Sequence, residues 1–402
     1  MKSRTIAGKI AVTFLIFTAF FTLFRSSMAG IFSLFYANNG IPDAQISTIK
    51  SWQSVGILIG MLPSGFLADR IGRLKVLNLS AIIISFSFFL LILKPCFIIF
   101  SLAEFLYGIG LAFNSGTLLA YITDLQELNK IKPDGRLMGK QTAILNIATL
   151  IGGNIGTWLF GVKMTAPVWF GLLGLALYPL FVIIFIKIMH FHDNRAQPLT
   201  NRINFLSAVA TIIKKKSFWI LFLVNIGYDC GTQFLMIYWS IIYVKQLGFN
   251  LSFVYTAFMC ATIFGAWLLQ QISGKNLKEL TIISTLCMML LLCSSSIFSN
   301  RYMLLVIFLL VELLMGLLSG QISAFSNWAI YGENNKSLML STVSFGVEVV
   351  VSLSLIVDDK IIAASSNLTI MYWVSAAYFA LILLAVPLLK KGKNKDDYNL
   401  FN

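Results

Sequence analysis

Charge is what this sequence has least of. Asp, Glu, Lys and Arg together make up 11% of 402 residues, while 58% are hydrophobic, and that balance excludes a soluble domain around a single core. Histidine is scarcer still, with only His190 and His192, both in a polar stretch near mid-chain. No apolar run carries a metal-ligand or nucleophile constellation, and no Gly-Lys phosphate loop is present, so the sequence does not predict an enzyme and implies no cofactor. The five cysteines, Cys96, Cys230, Cys260, Cys287 and Cys293, lie in or beside apolar runs without disulfide or metal spacing and read as packing residues. The first apolar run is too long for a signal-peptide core and other spans follow at once, so it is expected to remain as a helix. Phenylalanine is abundant instead, at 34, and fits a lipid-facing surface better than a cofactor box.

Apolar runs long enough to cross about 30 Å of hydrocarbon at about 1.5 Å per residue lie near 9–37, 46–68, 74–94, 97–124, 137–160, 166–189, 217–244, 251–272, 278–298, 302–330, 337–357 and 369–389. These twelve predict an all-α polytopic membrane protein. With the N-terminus inside, only Lys50, Lys94, Lys163, Lys245, Arg301 and Lys360 fall on the outer side and Arg25 lies within a span; the rest of the 30 basic residues collect on inner segments. Both termini are therefore expected in the cytoplasm of a multi-pass plasma-membrane protein, most simply a bacterial inner-membrane one. The net charge of +14 is a topology signal; spread over many inner segments, it makes no single basic face for nucleic acid.

Residues 191–216 separate six spans from six, giving an N-terminal bundle over 1–190 and a C-terminal bundle with a basic tail over 217–402. Within this linker Ile203, Leu206, Ala210 and Ile213 recur at helical spacing ahead of Lys214-Lys215-Lys216. Such a piece either rests on the anionic inner leaflet or is a solvated loop. The halves also repeat: Glu104-Phe-Leu-Tyr-Gly108 in span four is echoed by Glu312-Leu-Leu-Met-Gly316 in span ten. Duplicated six-helix halves are a recurring transporter plan, with the substrate site near the midplane.

Between spans two and three stands Gly65-Phe-Leu-Ala-Asp69-Arg70-Ile-Gly72-Arg73, a very short charged turn whose glycines suit a close approach of helices. It is similar to the signature of the major facilitator superfamily, with Lys75 one place later than the usual further basic residue. A fainter copy, Gln271 to Lys275, falls between spans eight and nine. The resemblance implies two pseudo-symmetric six-helix bundles, a monomer by default, and an acidic partner for the motif at the inner end of span four. Asp124 occupies that place, so Gly65, Asp69, Arg70, Gly72, Arg73 and Asp124 are expected to form a latch on the outward-facing state.

Arg25, Glu104, Asp229, Glu312 and Glu348 lie inside apolar runs, where an ionisable residue costs several kcal/mol unless paired or wet, so they are expected to face a cavity. In the family resembled, helices one, four, seven and ten line that cavity. Asn114 lies within the same broad face as Glu104 and Tyr107, and Gln233 within that of Asp229. Glu104 is either a structural partner of Arg25 or part of the pathway; Asp229, Glu312 and Glu348 are the candidates for carrying protons. Tyr36, Tyr107, Trp239 and Tyr243 either stack on a ligand or are belt or packing residues.

Exporters of the family often end a glycine-rich span-five motif in Gly-Pro; here Gly152-Gly-Asn-Ile-Gly156 runs into Thr157 and Trp158. Asn114-Ser-Gly-Thr117 and Pro63-Ser-Gly65 are similar to the efflux permease branch. The expectation is proton-coupled export by alternating access of a small organic molecule, such as a drug, an antibiotic, a peptide-like metabolite or a siderophore, with protons and membrane lipids as its other partners. Uptake of a polar solute by proton symport, or a transporter-like receptor that binds without moving its ligand, are the alternatives.

Overall fold

The computed structural model describes residues 2–131, 135–191, 205–272, 277–329, 336–365 and 367–388; among these every regular element is a helix. Contacts divide the chain into two compact units, Met1–Pro42 with Thr48–Thr200, and Asp43–Ser47 with Asn201–Asn402.

The first unit contains α1 (Lys2–Arg25), α2 (Phe32–Asn38), α3 (Asp43–Ile71) from Thr48 onward, α4 (Arg73–Leu93), α5 (Phe97–Asn114), α6 (Thr117–Leu128), α7 (Gly135–Val162) and α8 (Ala166–Met189). Two expected spans are broken. Span one passes from α1 through a tight 3-10 turn at Ser26–Met28 into α2, and span four breaks at Ser115-Gly116, where Gly116 takes a φ of 75°. Span two is α3, bent by 45° between Met61 and Pro63, where proline removes a backbone donor. Its helix continues through most of the charged motif to Ile71 instead of ending near 68. Gly72, at φ 105° and ψ 146°, is the one residue between α3 and α4, a conformation open to glycine and strained for other residues.

The second unit holds α9 (Phe205–Ile213), α10 (Lys216–Ser240) continuing into a π-helical turn at Ile241–Gln246, α11 (Leu251–Gln271), α12 (Leu277–Ser295), α13 (Arg301–Ala329), α14 (Lys336–Ser365) and α15 (Ile370–Ala385). Gly248 (φ 73°) ends the π turn, and the Asn250 side chain accepts from the Phe253 amide at 3.0 Å to start α11. Span eleven runs to Ser365, eight residues beyond its expected end. Among the described residues eleven helices are long and apolar enough to cross a membrane, twelve with the bent α3, so the chain is a multi-pass membrane protein. Much of the expected linker, residues 192–204, lies outside the described residues, Ile203 included. In α9, Ile212 is buried while Ala210 and Ile213 remain open. The second copy of the charged motif lies mostly outside the described residues too; of it, Gln271 closes α11.

Phenylalanine serves the interior as much as the lipid face. Phe17, Phe35, Phe88 and Phe100 are fully buried, and Phe20 of α1 stacks on Phe181 of α8 at 4.4 Å, whereas Phe66 and Phe86 stay exposed. Small residues set the closest crossings, as expected where lipid supplies no hydrophobic drive. A methyl on Gly56 would collide with the Phe105 carbonyl and one on Gly108 with the Gln53 carbonyl, so α3 and α5 meet backbone to backbone at two reciprocal points. The second unit repeats this: Gly265 meets the Leu313 carbonyl and Gly316 the Thr262 carbonyl, joining α11 to α13. These crossings place Glu104 and Glu312 each directly beside a facing helix.

Candidate functional site

At the end of α3, the motif assembles the expected charge cluster. Arg73, the first residue of α4, uses Nε and Nη2 on the two carboxylate oxygens of Asp124 in α6, the Nη2 contact measuring 3.4 Å, in the bidentate geometry that makes such pairs strong. Asp69 approaches Arg73 Nη2 only to 3.9 Å and is half exposed, and Arg70 points outward. Both carboxylates also lie near the N-terminus of α4, where the helix dipole favours negative charge. Beneath them Ala68, Val76 and Phe113 form a small core with Leu67, Ile71 and Ile109, tying α3, α4 and α5 together. Gly65 has open space where a side chain would stand, so close approach is not its reason here; Gly72 is needed for its dihedrals.

Deeper in the first unit, Glu104 is 1% exposed and pairs with Lys50 at 2.6 Å, not with Arg25. Tyr36 donates its hydroxyl to the same carboxylate oxygen at 2.6 Å, and Lys50 also reaches Gln53 Oε1 at 3.3 Å. The Lys50 ammonium sits 3.9 Å from the centre of the Phe32 ring, a cation–π contact. Lys50, counted on the outer side by charge asymmetry alone, thus projects from α3 into the helices and is 12% exposed. Arg25, at the end of α1, donates to Tyr107 Oη at 3.2 Å, one turn along α5 from Glu104. Tyr36 and Tyr107 are therefore buried members of a polar network and not belt residues. The second oxygen of Glu104 and the side-chain oxygen of Asn114 are buried with no hydrogen-bond partner, leaving two acceptors that a proton or a donor group on a solute can satisfy.

In the second unit Glu312 is 5% exposed and accepts from Thr262 at 2.8 Å; among the described residues no lysine or arginine pairs with it. Asp229 and Gln233 lie along one partly exposed side of α10, with Met236 exposed beyond them. Glu348, from α14, is the charged neighbour of Asp229. Trp239 and Tyr243 are buried, like Tyr36 and Tyr107.

One carboxylate escaped the sequence reading. Asp358 lies on the added length of α14, 2% exposed, with one oxygen lacking any hydrogen-bond partner. The signal was present: Asp358-Asp359-Lys360 reads as the polar end of a span, and only the helix length shows that Asp358 is inside. Among the described residues no group of three or more His, Cys, Asp or Glu could hold a metal ion.

The helical fold agrees with the relatives found by comparison. A family model described as Major Facilitator Superfamily matches residues 14–333. Among curated proteins no sequence relative is found. Among solved structures, the nucleoside transporter NupG matches with a TM-score of 0.73 at 13% identity, over 95% of this chain and 100% of that one. A point variant of NupG matches with the same TM-score and coverage at 12% identity. At such identity the likeness is one of fold.

Proposed function

Because the chain belongs to the major facilitator superfamily it is a secondary transporter, and we propose that it couples protons to the export of a small organic molecule such as a drug, an antibiotic, a peptide-like metabolite or a siderophore. The observation that carries the coupling is the state of the second unit's acids. Glu312 is buried with a hydroxyl for its donor and no described cation for a partner, and Asp229 faces another carboxylate, Glu348. An isolated acid in a span is costly while ionised, so its occupancy by a proton is the natural means of crossing the membrane. Glu104 differs, being balanced by Lys50, and serves with Arg25, Tyr36 and Tyr107 as a fixed polar wall. The Asp69, Arg73 and Asp124 cluster is the latch at the cytoplasmic end. Export follows the resemblance of Asn114-Ser-Gly-Thr117 and Pro63-Ser-Gly65 to efflux permeases, and the chain acts as a monomer in the plasma membrane.

Solute flux into proteoliposomes under an imposed proton gradient tests this. Accumulation against the solute gradient that collapses with a protonophore is the expected result. Flux indifferent to the gradient would remove the coupling, flux only in the direction of proton movement would replace export by symport, and binding without flux would make the protein a receptor.

A further inference from the structure

The two units carry similar local constructions that differ at three corresponding positions. In the first, the reciprocal Gly56 and Gly108 crossing sets Glu104 against α3; in the second, Gly265 and Gly316 set Glu312 against α11. A ring packs similarly in each unit, Tyr36 on Phe100 at 4.8 Å and Tyr243 on Phe308 at 4.9 Å, although Tyr36 donates its hydroxyl to Glu104 and Tyr243 to the Leu304 carbonyl at 3.1 Å. Counting back from the crossing glycine of the facing helix, Gln53 corresponds to Thr262, and both stand by the carboxylate through Lys50 or directly. One turn earlier, Lys50 corresponds to Met259. Phe32, the ring under the Lys50 ammonium, corresponds to Trp239.

Among the described residues, the second unit therefore keeps a carboxylate and aromatic neighbours like those around the Lys50 ammonium but lacks the ammonium. Trp239 and Tyr243 both pack on Phe258, at 5.6 Å and 5.3 Å, Phe258 packs on Phe308 at 4.7 Å, and Glu312 lies one turn from Phe308. A carboxylate among aromatic faces is the chemistry that holds organic cations, and tryptophan offers the strongest such face. Met259 is unbranched, flexible and only partly buried, the kind of side chain that yields to a ligand. We propose that Glu312 and Trp239 form a recognition site for the ammonium group of an amine solute, which takes the part played within the first unit by Lys50. This deepens the transporter reading and rests on it for the solute's passage, though not for its binding.

The test is equilibrium binding to the full-length protein in detergent, with 2-phenylethylamine as the probe and 2-phenylethanol, its uncharged counterpart, as the comparison. Wild-type protein should bind the amine at least tenfold more tightly than the alcohol. Met259→Lys, which restores the internal cation, and Glu312→Gln, which removes the anion, should each weaken amine binding at least tenfold. Should Met259→Lys fail to fold, Glu312→Gln still decides. An amine bound no better than the alcohol, or bound undiminished by either variant, would overturn the site. Proteoliposome flux separates the two readings: amine binding with no flux of any solute retains the site and removes transport, and gradient-driven flux of neutral solutes with no amine preference in binding removes the site and retains transport.

Discussion

Replacing Lys50 by methionine, the residue that nature places at the corresponding point of the second unit, should destabilise the first unit by an amount that can be worked out. The pair measures 2.6 Å with Glu104 1% and Lys50 12% exposed. At an effective dielectric of about 20 that separation gives about 6 kcal/mol of attraction. Most of it offsets the desolvation of two charges, so the pair as a whole adds little, but removing one partner leaves an unbalanced buried ion and costs about 3–5 kcal/mol. The Tyr36 hydroxyl still donates to Glu104 and holds the loss toward the lower end. Glu104→Gln should cost less than Lys50→Met, because a freed lysine can move its ammonium outward along its aliphatic stem whereas the carboxylate has no comparable exit. The double variant, with neither charge, should recover most of the loss. Reversible denaturant unfolding in mixed micelles, run as a double-mutant cycle, reads all three, and a coupling of about 2 kcal/mol or more is expected from that non-additivity. Equal stabilities for wild type and Lys50→Met, or additive losses in the double variant, would refute the reasoning.

Three further perturbations follow from the same geometry. Asp124→Ala removes both oxygens from Arg73 and should shift the protein toward its inward-facing state; accessibility of engineered inner-side cysteines measures it, after the exposed native Cys260 and Cys287 are replaced, and unchanged accessibility would sink the latch. Gly108→Leu should abolish stable expression, since its side chain meets the Gln53 backbone, while Gly65→Ala, with open space around it, should change stability by less than about 1 kcal/mol; fluorescence-detected size exclusion compares the two, and similar profiles would contradict the crossing. Asp358→Asn removes a buried charge with an unsatisfied oxygen and should raise thermal stability while lowering gradient-driven flux; a stabilised variant with unaltered flux would make Asp358 a packing residue only.

Hydropathy placed the spans because each needs a long apolar run whatever its neighbours, and Asp124 was legible as a partner of the Gly65 to Arg73 motif only through the family resemblance, which implies an acid at the inner end of span four. What the sequence left open depended on contacts between helices. Lys50 lies where a topology count assigns it to the outer edge, and nothing in its periodicity says that α3 turns it toward Glu104. The natural guess of Arg25 as that partner failed because the break at Ser26–Met28 ends α1 with Arg25 directed to Tyr107. Asp358 was missed for a different reason: a buried acid followed by Asp359 and Lys360 has the hydropathy of a span end. The paired glycines of α3 and α5 are visible as letters, but only their mutual placement distinguishes them from Gly65.

Gly72 carries a mechanical consequence. With one residue joining α3 to α4, the covalent linkage between two long rods is reduced to a single pair of torsions. The 21 residues of α4 make a lever about 31 Å long. A change of about 10° at Gly72 would sweep its far end through about 5 Å, comparable to one helical turn. Side-chain packing of α4 on α5 and α8 must therefore supply the stiffness that the joint does not. Any motion that loosens those contacts is amplified from the Gly72 end of the helix to its opposite end, without a loop to absorb it.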